Sequence, residues 1–385
     1  KLKLVAVNDA CMLDAEDFPV HQLLRAIGEN ETVWSVKNCT EPERTLLGAA
    51  EMEHAFAQLP EALDNARVIA GECNFELARG TWHFPRFPLP DGITPARRLR
   101  ELAVEGARRR YGSISRKVEK RLDYELRVIC EHGFAPYLLV VHDIVSEANR
   151  RGIPNLGRGS AANSIVCYAL NLTHVEPLAY NLYFERFLNP DRKSPPDVDI
   201  DLNWKRRDEI IQYVYDRYGA DRVAMISTHV TFQARSSLRE SAKALGLLDS
   251  ELERFLKRLP FWSGESIPDD PATAFPETRG IDLSAPEYVE LFALAQRLSN
   301  LPQHLGIHAG GIVIAPEDIR KHTALYEASK GFVVTHHEMY GVEDAGLIKI
   351  DLLGNRSLGV LEDALASLQA RGIAPPVDDF GATTG

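Results

Sequence analysis

Asp197, Asp199 and Asp201 occupy alternate positions in the run Pro195-Pro196-Asp197-Val198-Asp199-Ile200-Asp201-Leu202. Side chains alternate between the faces of a β-strand. Read as a strand, the run sends Val198, Ile200 and Leu202 to one side and the three carboxylates to the other. Carboxylates spaced about 6–7 Å along one face repel each other and resist desolvation. Such a row either stays in water as an acidic surface strand or binds cations. Clustered carboxylate oxygens suit hard divalent ions, above all Mg2+. A pair of Mg2+ ions held this way serves phosphoryl and nucleotidyl transfer.

The run Leu347-Ile348-Lys349-Ile350-Asp351-Leu352 has the same parity. Ile348, Ile350 and Leu352 face a core, and Lys349 and Asp351 share the opposite face. Alone, that is a surface pair of little consequence. If this strand lies beside 197–202, Asp351 joins the carboxylates and Lys349 meets the charge of an incoming phosphate.

A third element is Gly157-Arg158-Gly159-Ser160-Ala161-Ala162-Asn163-Ser164, followed by a helical apolar pattern to Leu170. Glycines permit a tight turn, Ser160 is a candidate N-cap one turn before Ser164 on the same face, and a helix start attracts anions. Arg158 adds a bidentate cation. The element reads either as a triphosphate cradle or as an ordinary capped helix. It is not a P-loop, because Gly-Lys-Ser/Thr is absent. The paired glycines of His308-Ala309-Gly310-Gly311, entering the strand at 312–314, imply a bulge or a close backbone approach. Arg235 and Arg239, one helical turn apart, face either a phosphate or solvent.

These groups must be positioned by an α/β core. Helical spacing of Ile210, Ile211, Val214, Tyr215 and Tyr218 ends at Gly219, and a strand follows over 222–228. Further strands are expected at 311–314 and 347–352, and a helix over 357–371. Helical pattern also covers 43–71, 95–147 with breaks at Gly112 and 133–136, and 237–300 around a loop at 261–273. Residues 3–8 read as a buried strand. The proline-dense stretch 83–95 reads as a linker, with a boundary near 76–90.

The 385 residues suffice for two or three domains, and 45% hydrophobic content is ordinary for a globular protein. No apolar run approaches the ~18 residues of a membrane span, so no membrane partner is expected. There is no signal-peptide pattern, and Lys1 at the start suggests a piece of a longer protein. Five cysteines without a C-x-x-C spacing fit reduced thiols and give no zinc motif. A net charge of −11 does not favour nucleic acid, yet ten basic residues lie between Arg97 and Arg121. That run reads either as a phosphate-tracking stripe or as a solvated helix face.

Taken together, Gly-Arg-Gly-Ser (157–160), Phe-Glu-Arg-Phe-Leu-Asn-Pro (184–190), Pro-Asp-Val-Asp-Ile-Asp (196–201), His-Ala-Gly-Gly (308–311) and Lys-Ile-Asp-Leu-Leu-Gly (349–354) resemble the bacterial DNA polymerase III alpha subunit family, replicative or error-prone. The resemblance implies an α/β (α+β) polymerase-beta-like nucleotidyltransferase palm with an inserted helical thumb. Residues 1–76 would be the C-terminal remnant of a PHP domain and linker, 77–230 and 306–360 the palm, 231–305 the thumb and 361–385 the start of the fingers. It implies catalytic, metal-binding Asp199, Asp201 and Asp351 with two Mg2+ ions, and Asp197 in support. Arg158, Gly159, Ser160, Ser164 and Lys349 would bind the nucleotide, and Arg235 and Arg239 the DNA.

The implied partners are primer-template DNA and dNTPs, with a sliding clamp and other replisome subunits reached through regions outside this chain. The implied setting is the bacterial cytoplasm, at the nucleoid. Without fingers the fragment is expected to be inactive. Asn8-Asp9-Ala10-Cys11 replaces the family's common Asn-Asp-Val-His, so no PHP metal site is expected. Ala161 and Asn163 replace two common glycines, as in the error-prone branch. Two other readings are a non-catalytic DNA-binding or assembly homologue, suggested by the altered 8–11 motif, and a template-independent nucleotidyltransferase. The helical insertion argues against the latter.

Overall fold

The structure is a computed structural model that describes residues 2–373 other than 38, 77–79, 190, 192–194, 248–249, 251–252, 254–255 and 258–283. The loop expected at 261–273 and the end of the segment assigned to fingers, 374–385, lie outside the described residues. Two compact units divide the chain: residues 1–76 with 229–304, and residues 77–228 with 305–385.

In the second unit an apolar strand face is buried beneath helices. The strands are β1 (Asn155–Arg158), β2 (Asp199–Asn203), β3 (Val223–Thr231), β4 (Pro302–Ile314), β5 (Leu325–Glu327), β6 (Val333–Glu338) and β7 (Lys349–Asn355). They form one mixed sheet in the order β1-β2-β7-β4-β3-β6-β5. The last strand in sequence thus lies between β2 and β4, parallel to β2 and antiparallel to β4. Val198, Ile200, Leu202, Ile350 and Leu352 are at most 1% exposed. They share a core with Tyr137, Leu138, Val141 and Ile144 of the helix Ala135–Arg150 and with Ile210, Ile211 and Val214 of the helix Arg207–Tyr218. Each fully buried aliphatic side chain contributes about 1.5–3 kcal/mol. That burial holds β2 and β7 in the sheet although their other face is charged.

The smaller unit joins two stretches far apart in sequence. The helix Phe18–Glu29 packs Val20, Leu23 and Ala26 with Leu238 and Ala242 of the helix Ala234–Ala244 and with Leu291, Ala295 and Leu298 of the helix Pro286–Leu298. Arg297 seals this core by donating to Asp17 Oδ1 at 2.5 Å and Glu16 O at 2.8 Å. The helix Phe18–Glu29 and the described helices of the insertion therefore share one hydrophobic core.

Several expectations need correction. Residues 3–8 form no strand, and Leu2, Leu4 and Val7 are exposed. An apolar run becomes a strand only beside a partner edge, and Ala6 N–H to Ala62 O is the one backbone bond described for this segment. The helical stretch 43–71 is two helices, Ala49–Ala55 and Pro60–Glu72. Pro60 holds Leu59 outside the helical region at φ −138°. The boundary drawn at 360/361 falls inside the helix Arg356–Ala370. The turn after β1 is a 3-10 segment, Gly159–Asn163, and the α-helix begins only at Ile165. Its N-cap is Ser164, not Ser160: Ser164 Oγ accepts from Cys167 N–H at 3.1 Å.

Ser164 is anchored from below. Its hydroxyl donates to Glu125 Oε2 at 2.6 Å, and Glu125 also accepts from Arg121 Nε at 2.6 Å and Val166 N–H at 3.2 Å. Glu125 has no solvent exposure. Burial pushes its carboxyl up, against the hydrogen bonds from Ser164 and Arg121. Breaking a buried pair from one side costs about 3–5 kcal/mol. Glu125→Ala is therefore expected to lower stability in urea unfolding by that order. A loss below about 1 kcal/mol would mean that this pair does not hold the turn.

Candidate active site

Strand register assembles the site in a single row. β1 pairs Arg158 with Asp199, β2 pairs Asp199 with Asp351, and β7 pairs Asp351 with Gly311. Residues directly opposed across a sheet share a face. Arg158, Asp199 and Asp351 therefore project together, and the fourth place in the row, Gly311, has no side chain. Two places along β2 and β7, the same face carries Asp201 and Lys349.

Carboxylate oxygens of Asp197, Asp199 and Asp351 lie within 4.8 Å of one another. Lys349 Nζ donates to Asp351 Oδ2 at 2.8 Å and lies 3.9 Å from Asp197 Oδ1. Arg158 Nε is 3.4 Å from Asp201 Oδ1 and 3.8 Å from Asp199 Oδ2. Asp201 Oδ2 accepts from Asn355 Nδ2 at 3.0 Å. Asp351 Oδ1 is buried without a hydrogen-bond partner.

Burial first, then the charges of Asp197 and Asp351, push the Asp199 carboxyl up to about 6, while Arg158 pulls it down. Burial would lower Lys349, but its hydrogen bond to Asp351 and the surrounding carboxylates together raise it. Four carboxylates face two basic side chains here. The excess negative charge, the raised Asp199 and the orphaned Asp351 oxygen all suit a divalent cation.

Gly159, at φ +70°, turns the chain beside Asp199; a Cβ there would lie 3.7 Å from Asp199 Oδ2. Ser160 Oγ donates to Asp197 O at 3.3 Å, which ties the turn to the acidic strand. Ser164 does not join it. It is fully buried on Glu125, because its hydroxyl serves as the helix cap. Asp197, expected in support, lies inside the tight carboxylate cluster, whereas Asp201 lies outside it, held by Asn355 and Arg158. Arg235 is half-buried and Arg239 exposed, on the helix Ala234–Ala244 of the other unit. Much of the basic run is already committed: Arg97 and Arg98 to Glu101, Arg100 to Asp123, and Arg121 to Glu125. Arg110 donates to Asn171 and lies over the Tyr168 ring. Near residue 9, Asp9 pairs with Arg44 and Cys11 is exposed.

Sequence reasoning missed Asn355. Its parity matches that of Asp351 along β7, so the alternation of side chains could have revealed it. The role of His308 was not legible either: its Nδ1 accepts from two backbone N–H groups beside Asp351.

A mixed sheet with carboxylates clustered on its open face suits metal-assisted phosphate chemistry. Residues 97–354 match the family described as Bacterial DNA polymerase III alpha NTPase domain. The chain belongs to the bacterial DNA polymerase III alpha family. It is 38% identical over 373 residues to the error-prone DNA polymerase of Symbiobacterium thermophilum, covering 95% of this chain and 34% of that protein. It is 34% identical over 369 residues to the DNA polymerase III subunit alpha of Bacillus subtilis, covering 96% of this chain and 33% of that protein. The error-prone DNA polymerase of Nocardia farcinica is 40% identical over 319 residues, covering 82% and 27%. The chain thus spans about a third of the length of these relatives.

The raised Asp199 has a consequence for pH. Its ordinary value is 3.8 and its folded value about 6, so the protonated form is favoured in the folded state. The stability this contributes is fully present below pH 3.8 and is lost as pH rises through about 6. In chelator-treated protein, Asp199→Asn is expected to raise the melting temperature at pH 7 and to flatten its fall between about pH 4 and about pH 6. An unchanged slope in thermal melts would assign the strain elsewhere.

Proposed function

We propose that this chain is the nucleotidyl-transfer core of a template-directed DNA polymerase, joining a dNTP to a primer 3′-hydroxyl with release of pyrophosphate. The observation that carries the reading is the register pairing of Asp199 with Asp351, with one buried Asp351 oxygen left without a hydrogen-bond partner. On this reading the seven-stranded unit is the palm. The helical part of the smaller unit is the thumb, its first 76 residues end a PHP domain, and residues 361–385 begin the fingers. The whole protein would bind primer-template DNA, a sliding clamp and other replisome subunits at the bacterial nucleoid.

Asp199, Asp201 and Asp351 would hold two Mg2+ ions, with Asp197 flanking them. When bound, the ions lower the pKa of the primer hydroxyl and stabilise the departing pyrophosphate. Arg158 stands between Asp199 and Asp201 as a counter-charge, and its guanidinium is suited to turn toward a triphosphate. Gly159 and Ser160 supply the turn beside that triphosphate. Lys349, which donates to Asp351 Oδ2, offsets charge on the phosphate side of that carboxylate. Arg235 and Arg239 would meet the DNA backbone.

The test is primer extension by the full-length parent. Asp199→Asn, Asp201→Asn and Asp351→Asn are expected to reduce extension to background while the melting transition remains cooperative. Asp197→Asn is expected to cost about 10–100-fold, as for a group that supports a metal ligand. Background activity for Asp197→Asn together with surviving activity for Asp201→Asn would transfer the ligand role to Asp197. Full activity of the Asp351→Asn variant would end the polymerase reading.

A further inference from the structure

His308 sits at the edge of the carboxylate row in an unusual state. Its Nδ1 lies 2.7 Å from the Gly311 nitrogen and 3.2 Å from the Gly310 nitrogen, and both backbone N–H groups donate to it. A ring nitrogen that accepts carries no proton, so these two bonds assign the proton to Nε2. The 3.8 Å approach of Nδ1 to Asp351 Oδ1 is therefore not an ion pair, in keeping with the orphaned state of that oxygen.

The ring has its place because the row ends in glycine. A Cβ on Gly311 would lie 2.9 Å from His308 Nδ1 and 2.9 Å from Ile226 Cδ1. The backbone thus grips the ring by its inner nitrogen and leaves Nε2–H as a donor with no hydrogen-bond partner among the described residues. The side chain is one-quarter exposed, so the ring is not sealed in the core.

Its position in the row points to the ligand. The order across the sheet is Arg158, Asp199, Asp351, Gly311. Arg158 and the Gly159–Ser160 turn lie on the β1 side, and His308 lies on the β4 side, beyond Asp351. On the polymerase reading, on which this inference rests, two anionic reactants meet at the carboxylates. The triphosphate lies against the β1 side, which leaves the β4 side to the primer strand. We propose that His308 donates Nε2–H to a backbone phosphate oxygen at the primer terminus, as a binding residue distinct from the groups that hold the nucleotide.

Two substitutions in the full-length parent separate this role from a structural one. His308→Asn keeps an acceptor near the glycine N–H groups and loses the outer donor. His308→Gln carries an N–H donor to about the reach of Nε2 and gives up the near acceptor. The readouts are equilibrium binding of a fluorescent primer-template without metal or dNTP, and KM for dNTP in primer extension. For His308→Asn the expectation is binding about tenfold weaker, the loss of one hydrogen bond to a charged group, with dNTP KM unchanged. His308→Gln should restore binding to within about twofold of wild type.

Wild-type binding by His308→Asn overturns the inference. So does weaker binding by His308→Gln than by His308→Asn, which would give His308 only the task of holding the bulge. A rise in dNTP KM with DNA binding intact moves the contact to the triphosphate and also overturns it. Wild-type extension is read in parallel. If it is absent, the polymerase reading falls and this inference with it; if it is present, the outcomes above concern His308 alone.

Discussion

Parallel pairing of β2 with β7 sets two carboxylates, Asp199 and Asp351, directly opposite each other. Like charges in that relation are destabilising, and Asp197 and Asp201 add to the same face. The strain shows in Asp199, whose carboxyl is held near 6 by burial and by its neighbours. What keeps the strands together is the other face, where Val198, Ile200, Leu202, Ile350 and Leu352 are sealed in the core. One register slip would exchange the two faces, burying the acids and exposing the aliphatics. The apolar face therefore enforces the geometry of the charged one.

The remaining groups act around that constraint. Lys349 and Arg158 offset part of the negative charge from opposite ends of the cluster, and Asn355 holds Asp201 beside it. The deficit of positive charge, with one Asp351 oxygen left unpaired in the interior, is the feature that suits a cation better than a closed ion-pair network. His308 stands at the end of the row with its inner nitrogen accepting from the Gly310 and Gly311 N–H groups.

A second buried charge supports the turn. Glu125 ties the Ser164 cap and the Val166 N–H to Arg121, which itself reaches Asn163 O and Leu182 O. Ser164, which the family resemblance implied as a nucleotide-binding residue, is thus tied into the scaffold under Gly159 and Ser160. Ser160 and Ser164 are not on one helical face, because the intervening residues wind as a 3-10 segment rather than an α-helix.

The sequence by itself determined the strand faces of the acidic cluster and the bounds of one core helix, which depend on local periodicity. The two-residue period of a strand assigned Asp197, Asp199 and Asp201 to one face and put Lys349 with Asp351, and the buried aliphatics agree. The 3.6-residue spacing and Gly219 delimited the helix Arg207–Tyr218. Only the tertiary structure decided what depends on partners distant in the chain. These are the adjacency of β2 and β7, the closer approach of Asp197 than of Asp201, the burial of Ser164 and the ring state of His308. Residues 3–8 mark the same division: a short apolar run allows a strand, but backbone N–H and C=O groups form one only when another edge is there to receive them.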